Sequence, residues 1–78
     1  MALFYFHIRA GDEFIRDPEG TECADADIAR MEAMQSVREL IAEALRHGED
    51  PDHRVMQITG RDGNIIGEVQ FADILDLK

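Results

Sequence analysis

Apolar and polar positions alternate from Leu3 to Arg9, and aromatic residues dominate the run, which predicts a β-strand. Ala10-Gly11-Asp12 reads as a tight turn and Glu13–Asp17 as a short second strand. Asp17-Pro18-Glu19-Gly20 is a β-turn pattern, since proline presets φ at the second position and glycine accepts a positive φ. From about Ala24 to His47 the period changes to three and four. Ile28, Met31, Met34, Val37, Leu40, Ile41, Ala44 and Leu45 form the expected buried stripe of one long helix. Asp25 and Asp27 suit its first turn, Arg46 and His47 its last, and Gly48 its C-cap. After the loop Glu49-Asp50-Pro51-Asp52, Arg54–Gly60 reads as a third strand. Asp62-Gly63 reads as a two-residue type I′ turn, and Asn64–Phe71 as a fourth strand. Phe71, Ile74, Leu75 and Lys78 are spaced like one or two closing helical turns. The pattern predicts a single α+β domain over residues 1–78. Its order is ββαββ: an antiparallel sheet of about four strands, one long helix on one face, and a short C-terminal helical turn.

Turn geometry assigns the side chains to faces. A two-residue turn at Asp62-Gly63 pairs Arg61 with Asn64, and therefore Ile58 with Gly67 and Met56 with Val69. Met56, Ile58, Ile65, Val69 and Phe71 then form the core side, with Gly67 among them to admit the helix closely. In the first hairpin, a turn at Ala10-Gly11 or at Gly11-Asp12 places Phe4, Phe6, Ile8 and Ile15 on the core side. The outer side receives Leu3, Tyr5, His7, Arg9, Phe14 and Arg16. The second hairpin adds Val55 and Ile66 to it, beside Gln57, Thr59, Glu68 and Gln70. One helix covers one face. Leu3, Tyr5, His7, Phe14, Val55 and Ile66 are thus the candidate interaction surface, with Tyr5 and Phe14 as its anchors. A helix of about 24 residues runs about 36 Å, against about 23 Å for a seven-residue strand, so it overhangs its sheet unless the C-terminal turn fills the gap.

Composition bears on how that face is used. The chain has 78 residues, 45% of them hydrophobic, enough for one small core. Chains of this size bury only about 60–65% of the surface exposed on unfolding, so self-association is an expected supplement to stability. Net charge is −9, and residues 11–27 hold seven acids (Asp12, Glu13, Asp17, Glu19, Glu22, Asp25, Asp27) against one base, Arg16. Such a surface repels phosphate and argues against nucleic acid as a partner. A solvated loop explains it most simply, and a regulator of a basic partner is the alternative. The opening residues are too short an apolar run for a signal peptide and no run is long enough to span a membrane, so the expected location is the cytoplasm.

Candidate chemistry is sparse. Cys23 is the one cysteine and reads as a small packing residue. His7, His47 and His53 lack metal-ligand spacing, and Asp50, Asp52 and His53 read as a charged loop. Thr21, Ser36 and Thr59 sit in no nucleophile pattern, and the glycines form no phosphate-binding loop. Met31, Met34 and Met56 read as core filler. No catalytic, cofactor-binding or metal-binding residue is assigned, and no cofactor. The expectation is a non-enzymatic interaction module that forms a homodimer or docks on a protein partner. A small-ligand binder or enzyme would need a cleft, expected near His7 between two copies.

Several motifs occur together: Phe4-Tyr5-Phe6-His7, Asp17-Pro18-Glu19-Gly20-Thr21-Glu22, a helix with Ala33 and Arg38-Glu39-Leu40, Asp62-Gly63, and the closing Phe71-Ala72-Asp73. In this order the chain resembles, over nearly its whole length, a family of short bacterial proteins catalogued as a domain of unknown function. The family often has a proline before the last strand's phenylalanine and another opening the helix, where this chain has Gln70 and Ala24. These departures touch an edge and a cap. The resemblance implies fold and lineage, and it transfers no catalytic residue.

Overall fold

The computed structural model describes residues 1–75. Its elements are β1 (Ala2–Ala10), β2 (Glu13–Ile15), β3 (Thr21–Cys23), α1 (Ala26–Arg46), β4 (Arg54–Thr59), β5 (Ile65–Gln70) and α2 (Phe71–Leu75). All strand pairs are antiparallel, in the order β2-β1-β4-β5, with β3 also on β1. The α+β architecture is as the pattern predicts, with a fifth strand that the periodicity does not show. Thr21–Cys23 is that strand, and three residues are too few to display alternation. The expected continuation of the C-terminal turn to Lys78 lies outside the described residues.

The first hairpin turns on Gly11-Asp12, with Ala10 opposite Glu13 and Ile8 opposite Ile15. Gly11 has φ 62, as the first central residue of a type II′ turn requires. Ala10 and Glu13 flank a two-residue turn, so the backbone groups of Ala10, Ile8, Phe6 and Phe4 alternate toward the β2 edge of β1. Both β2 and β3 occupy that edge, β2 at one end and β3 at the other.

The second hairpin corrects the expected type I′ turn. Gly63 donates to the Gly60 carbonyl at 3.0 Å, and Gly60 donates to the Asn64 carbonyl at 3.0 Å, so the loop holds three residues, Arg61-Asp62-Gly63. Only Gly63 takes a positive φ there (87), as in a type I turn closed by a glycine bulge. This loop alone would put Ile58 opposite Ile66. A bulge between Ile58 and Thr59 restores Ile58 opposite Gly67 and Met56 opposite Val69, the predicted register. Two departures cancel beyond the bulge and add within it. Ile65 is 58% exposed, while Ile66 packs against the core. Ile66 therefore leaves the candidate outer surface and Ile65 leaves the predicted core.

Asp25 caps α1, its Oδ1 accepting from the Ile28 N–H at 2.9 Å. The far end closes through Gly48 at φ 72, with Glu49 donating to the Ala44 carbonyl and Gly48 to the Leu45 carbonyl. The buried face is Ala29, Ala33, Val37, Ile41 and Ala44. Ile28, Met31 and Leu45 of the predicted stripe are exposed, Met31 at 65%. The physical reason is complementarity of size. The sheet side supplies Phe4, Cys23, Met56 and Ile58, α2 supplies Phe71, and the helix meets them with mostly small residues. Met31 is thus no core filler, while Met56 is. The α2 turn packs against α1 and both strands of the second hairpin. Gly67 faces Arg30 rather than helix backbone: a Cβ there would lie 3.3 Å from Arg30 Nε. The Arg30 guanidinium donates to the bulged Ile66 carbonyl at 3.0 Å. Among the described residues no helix is long and apolar enough to cross a membrane.

Candidate functional site

The site begins as a gap in the sheet. β3 pairs with Ala2–Phe4 and β2 with Ile8–Ala10, so the edge of β1 between them has no strand partner. Asp17 fills it. Its Oδ2 accepts from the Phe6 N–H at 3.1 Å, standing in for a strand carbonyl. Its Oδ1 accepts from the Glu19 and Gly20 N–H groups at 3.2 and 3.1 Å, turning the chain into β3. The predicted turn at Asp17–Gly20 is therefore built on the Asp17 side chain. Gly20 is required at its end: φ is 76, and a Cβ would stand 3.0 Å from the Phe4 carbonyl oxygen and from the Tyr5 ring. Burial pushes the Asp17 carboxyl up. The N–H bonds from Gly20, Phe6 and Glu19, with the charge His7 can carry, outweigh it and hold the group below its ordinary value.

Asp17 also sets the histidine. Its N–H donates to His7 Nδ1 at 3.0 Å. A backbone N–H only donates, so Nδ1 is bare and the neutral ring carries its proton on Nε2. Nε2 lies 3.3 Å from Thr59 Oγ1 and donates to it. A hydroxyl beside an imidazole suggests nucleophilic catalysis, but that chemistry needs a bare Nε2 to take the hydroxyl proton. Here the ring is locked in the opposite sense, a donor toward Thr59.

The outer-face residues assemble around this ring. Tyr5 and His7 stack with centroids 6.0 Å apart and planes 10° from parallel, and His7 meets Phe14 at 5.4 Å. Phe14 is 50% exposed. Leu3 and Val55 are half-buried on their strands, and Gln57 and Thr59 are buried. Arg9 and Glu68 approach to 4.0 Å at one side of the face. Leu3, Tyr5, His7, Phe14 and Val55 thus share the surface assigned to them by alternation, and Ile66 does not.

At one end of the aromatic row a cleft of about 570 Å³ opens between the Arg16–Pro18 connection and the second hairpin loop. Tyr5, His7, Arg16, Asp17, Pro18, Thr59, Gly60, Arg61 and Gly63 line it. It lies beside His7 and is formed within one chain. Outer-strand alternation already places Thr59 on this face, but sequence reasoning missed Asp17 and Arg61 here, because nothing in the spacing shows that the 16–18 and 60–63 loops meet.

Other chemical groups stand apart from this face. Cys23 is 2% exposed in the core, where burial and the nearby Glu32 and Asp25 push its thiol up. His53 Nδ1 lies 3.9 Å from Asp52 on the surface. Among the described residues no three His, Cys, Asp or Glu side chains converge as metal ligands.

Comparison with known proteins supplies a lineage. Residues 3–72 match the family model described as Domain of unknown function (DUF6894), and the chain belongs to that family. No match was found among curated proteins or among solved structures.

Proposed function

We propose that this DUF6894 member is a non-enzymatic interaction module whose working surface is the helix-free sheet face, and that a second copy of the chain occupies it. The observation that carries the reading is the row of ring contacts Tyr5–His7–Phe14 on that face, ending in a half-exposed phenylalanine. A solvated sheet face needs no such row, whereas aromatic anchors dominate interface energies. The molecule measures 36 × 27 × 17 Å, and its broad side is large enough for the roughly 800 Å² per partner of an ordinary interface. In a chain of net charge −9 this face is not strongly acidic: Arg9 lies on it beside Glu68, and Arg16 and Arg61 lie at its end with Asp17, so charge does not oppose pairing there. A two-fold axis through the sheet face would make the contact self-complementary.

The histidine tautomer supports the non-enzymatic part, because His7 donates to Thr59 and cannot serve as its base. The alternative of an acidic regulator acting through residues 11–27 has less support. Asp17 is committed to the sheet gap, Asp25 to the helix cap, and Asp27 lies 3.6 Å from Arg30. Sedimentation equilibrium over a concentration series tests the proposal. The wild type is expected to associate reversibly, and Tyr5→Ser and Phe14→Ser to weaken association about tenfold or more each. A wild type that stays monomeric at millimolar concentration, or variants that associate equally well, would overturn it.

A further inference from the structure

Arg16 and Arg61 come from different hairpins and line one cleft. The chain holds 17 acids and 8 lysines and arginines, so most bases should find a carboxylate. Arg9, Arg30, Arg46 and Arg54 do, each within 4.0 Å of one. Among the described residues Arg16, Arg61 and the helix residue Arg38 form no such pair, and of these three Arg16 and Arg61 share the cleft, which Asp17 also lines. Asp17 is already engaged: Oδ2 holds the Phe6 N–H and Oδ1 the Glu19 and Gly20 N–H groups.

The hydrogen bonds beside them run in one direction. The Asp17 N–H donates to His7 Nδ1, and His7 Nε2–H donates to Thr59 Oγ1. The Thr59 hydroxyl has accepted, so its own proton remains to be given, and among the described residues it has no acceptor. A donor chain that ends in a free hydroxyl proton, in a cleft with two unpaired guanidiniums, calls for an acceptor carrying negative charge.

We propose that this cleft binds a small oxyanion, a carboxylate or phosphate head on a planar body. Arg16, Arg61 and the Thr59 hydroxyl take the head, and Tyr5 and Pro18 flank the body. The guanidinium fork matches both heads, and the Tyr5 ring offers a face for stacking. The volume of about 570 Å³ suits a small molecule. The site lies within one chain and goes beyond the pairing of copies, so it does not depend on that pairing.

Titration of the ¹⁵N-labelled protein, followed by amide shifts, tests the site. The probes are phenyl phosphate, benzoate and inorganic phosphate, with benzylammonium as the opposite charge. The titration is repeated in Phe14→Ser, which separates binding in the cleft from association of copies. Saturable shifts are expected at Asp17, Gly60 and Gly63 with phenyl phosphate or benzoate, and the tighter of the two identifies the head. Arg16→Gln and Arg61→Gln should each weaken binding about tenfold. Thr59→Val should weaken it as well. Both arginines are exposed, so their variants should melt with the wild type, and Arg61→Lys should retain part of the affinity. No saturable shift with any of the three oxyanions, equal binding of benzylammonium, or unchanged affinity in both glutamine variants would overturn the proposal.

Discussion

Asp17 shows how one side chain can substitute for a strand. It closes a gap in the hydrogen bonding of β1, turns the chain into β3 and orients His7. Replacing it with alanine leaves Phe6, Glu19 and Gly20 N–H groups without this acceptor, and urea unfolding at neutral pH should show a loss of about 1–3 kcal/mol. The pH dependence has a definite sign. The folded-state value lies below the ordinary 3.8, so ionised Asp17 stabilises the protein above that value. The contribution disappears as pH falls through the lower, folded value. Between about pH 6 and about pH 2.5 the wild type should therefore lose more stability than Asp17→Asn, and parallel losses would contradict the assignment. Gly20 allows a second check on the same turn. Its φ is 76, and a side chain there would bring Cβ to 3.0 Å from the Phe4 carbonyl oxygen. Gly20→Ala should therefore cost about 1–3 kcal/mol in thermal or urea unfolding. The Asp-Pro-Glu-Gly motif made the turn legible in the sequence. That its aspartate also serves Phe6, eleven residues away, is a tertiary fact with no local signature.

Among the elements, the helix was legible in existence and caps but not in its buried face. Its large apolar residues trace a stripe through Ile28, Met31 and Leu45, yet the core takes Ala29 and Ala33 instead. The sheet already supplies bulky side chains, and only small residues let the helix seat on them. Ala33 has no exposed surface, so Ala33→Leu should destabilise by about 1–3 kcal/mol. Met31→Ala should stay within about 0.5 kcal/mol of wild type. Denaturant melts of the two variants check this, and the reverse order would restore the stripe read from periodicity. The second hairpin divides in the same way between local and tertiary causes. Asp62-Gly63 marked the turn, but φ is positive at Gly63 alone. The added loop residue and the bulge at Ile66 then preserve the Ile58–Gly67 register while exchanging Ile65 for Ile66 on the core side. Local signals located the hairpin, while the bulge, where Ile66 packs on the core and Arg30 holds its carbonyl, has no local signature.

Across the whole protein, alternation along two hairpins was enough to divide the sheet into a covered face and an open one. Tyr5, His7 and Phe14 fall together because strand periodicity is rigid, which is why this part of the site could be read from the sequence. The cleft could not, because it forms where two loops distant in sequence approach each other. The two proposals use overlapping parts of one surface that share Tyr5 and His7, an aromatic row for a second copy and a basic cleft for a small oxyanion. Phe14→Ser separates them, since it removes an anchor of the row and leaves every lining residue of the cleft in place. Whether a second copy covers the open face can be read from isotope-filtered NOE spectroscopy on an equal mixture of labelled and unlabelled chains. Contacts between copies are expected at the Tyr5, His7 and Phe14 rings; contacts confined to the exposed helix residues Ile28 and Met31, or none between copies, would contradict the proposed pairing.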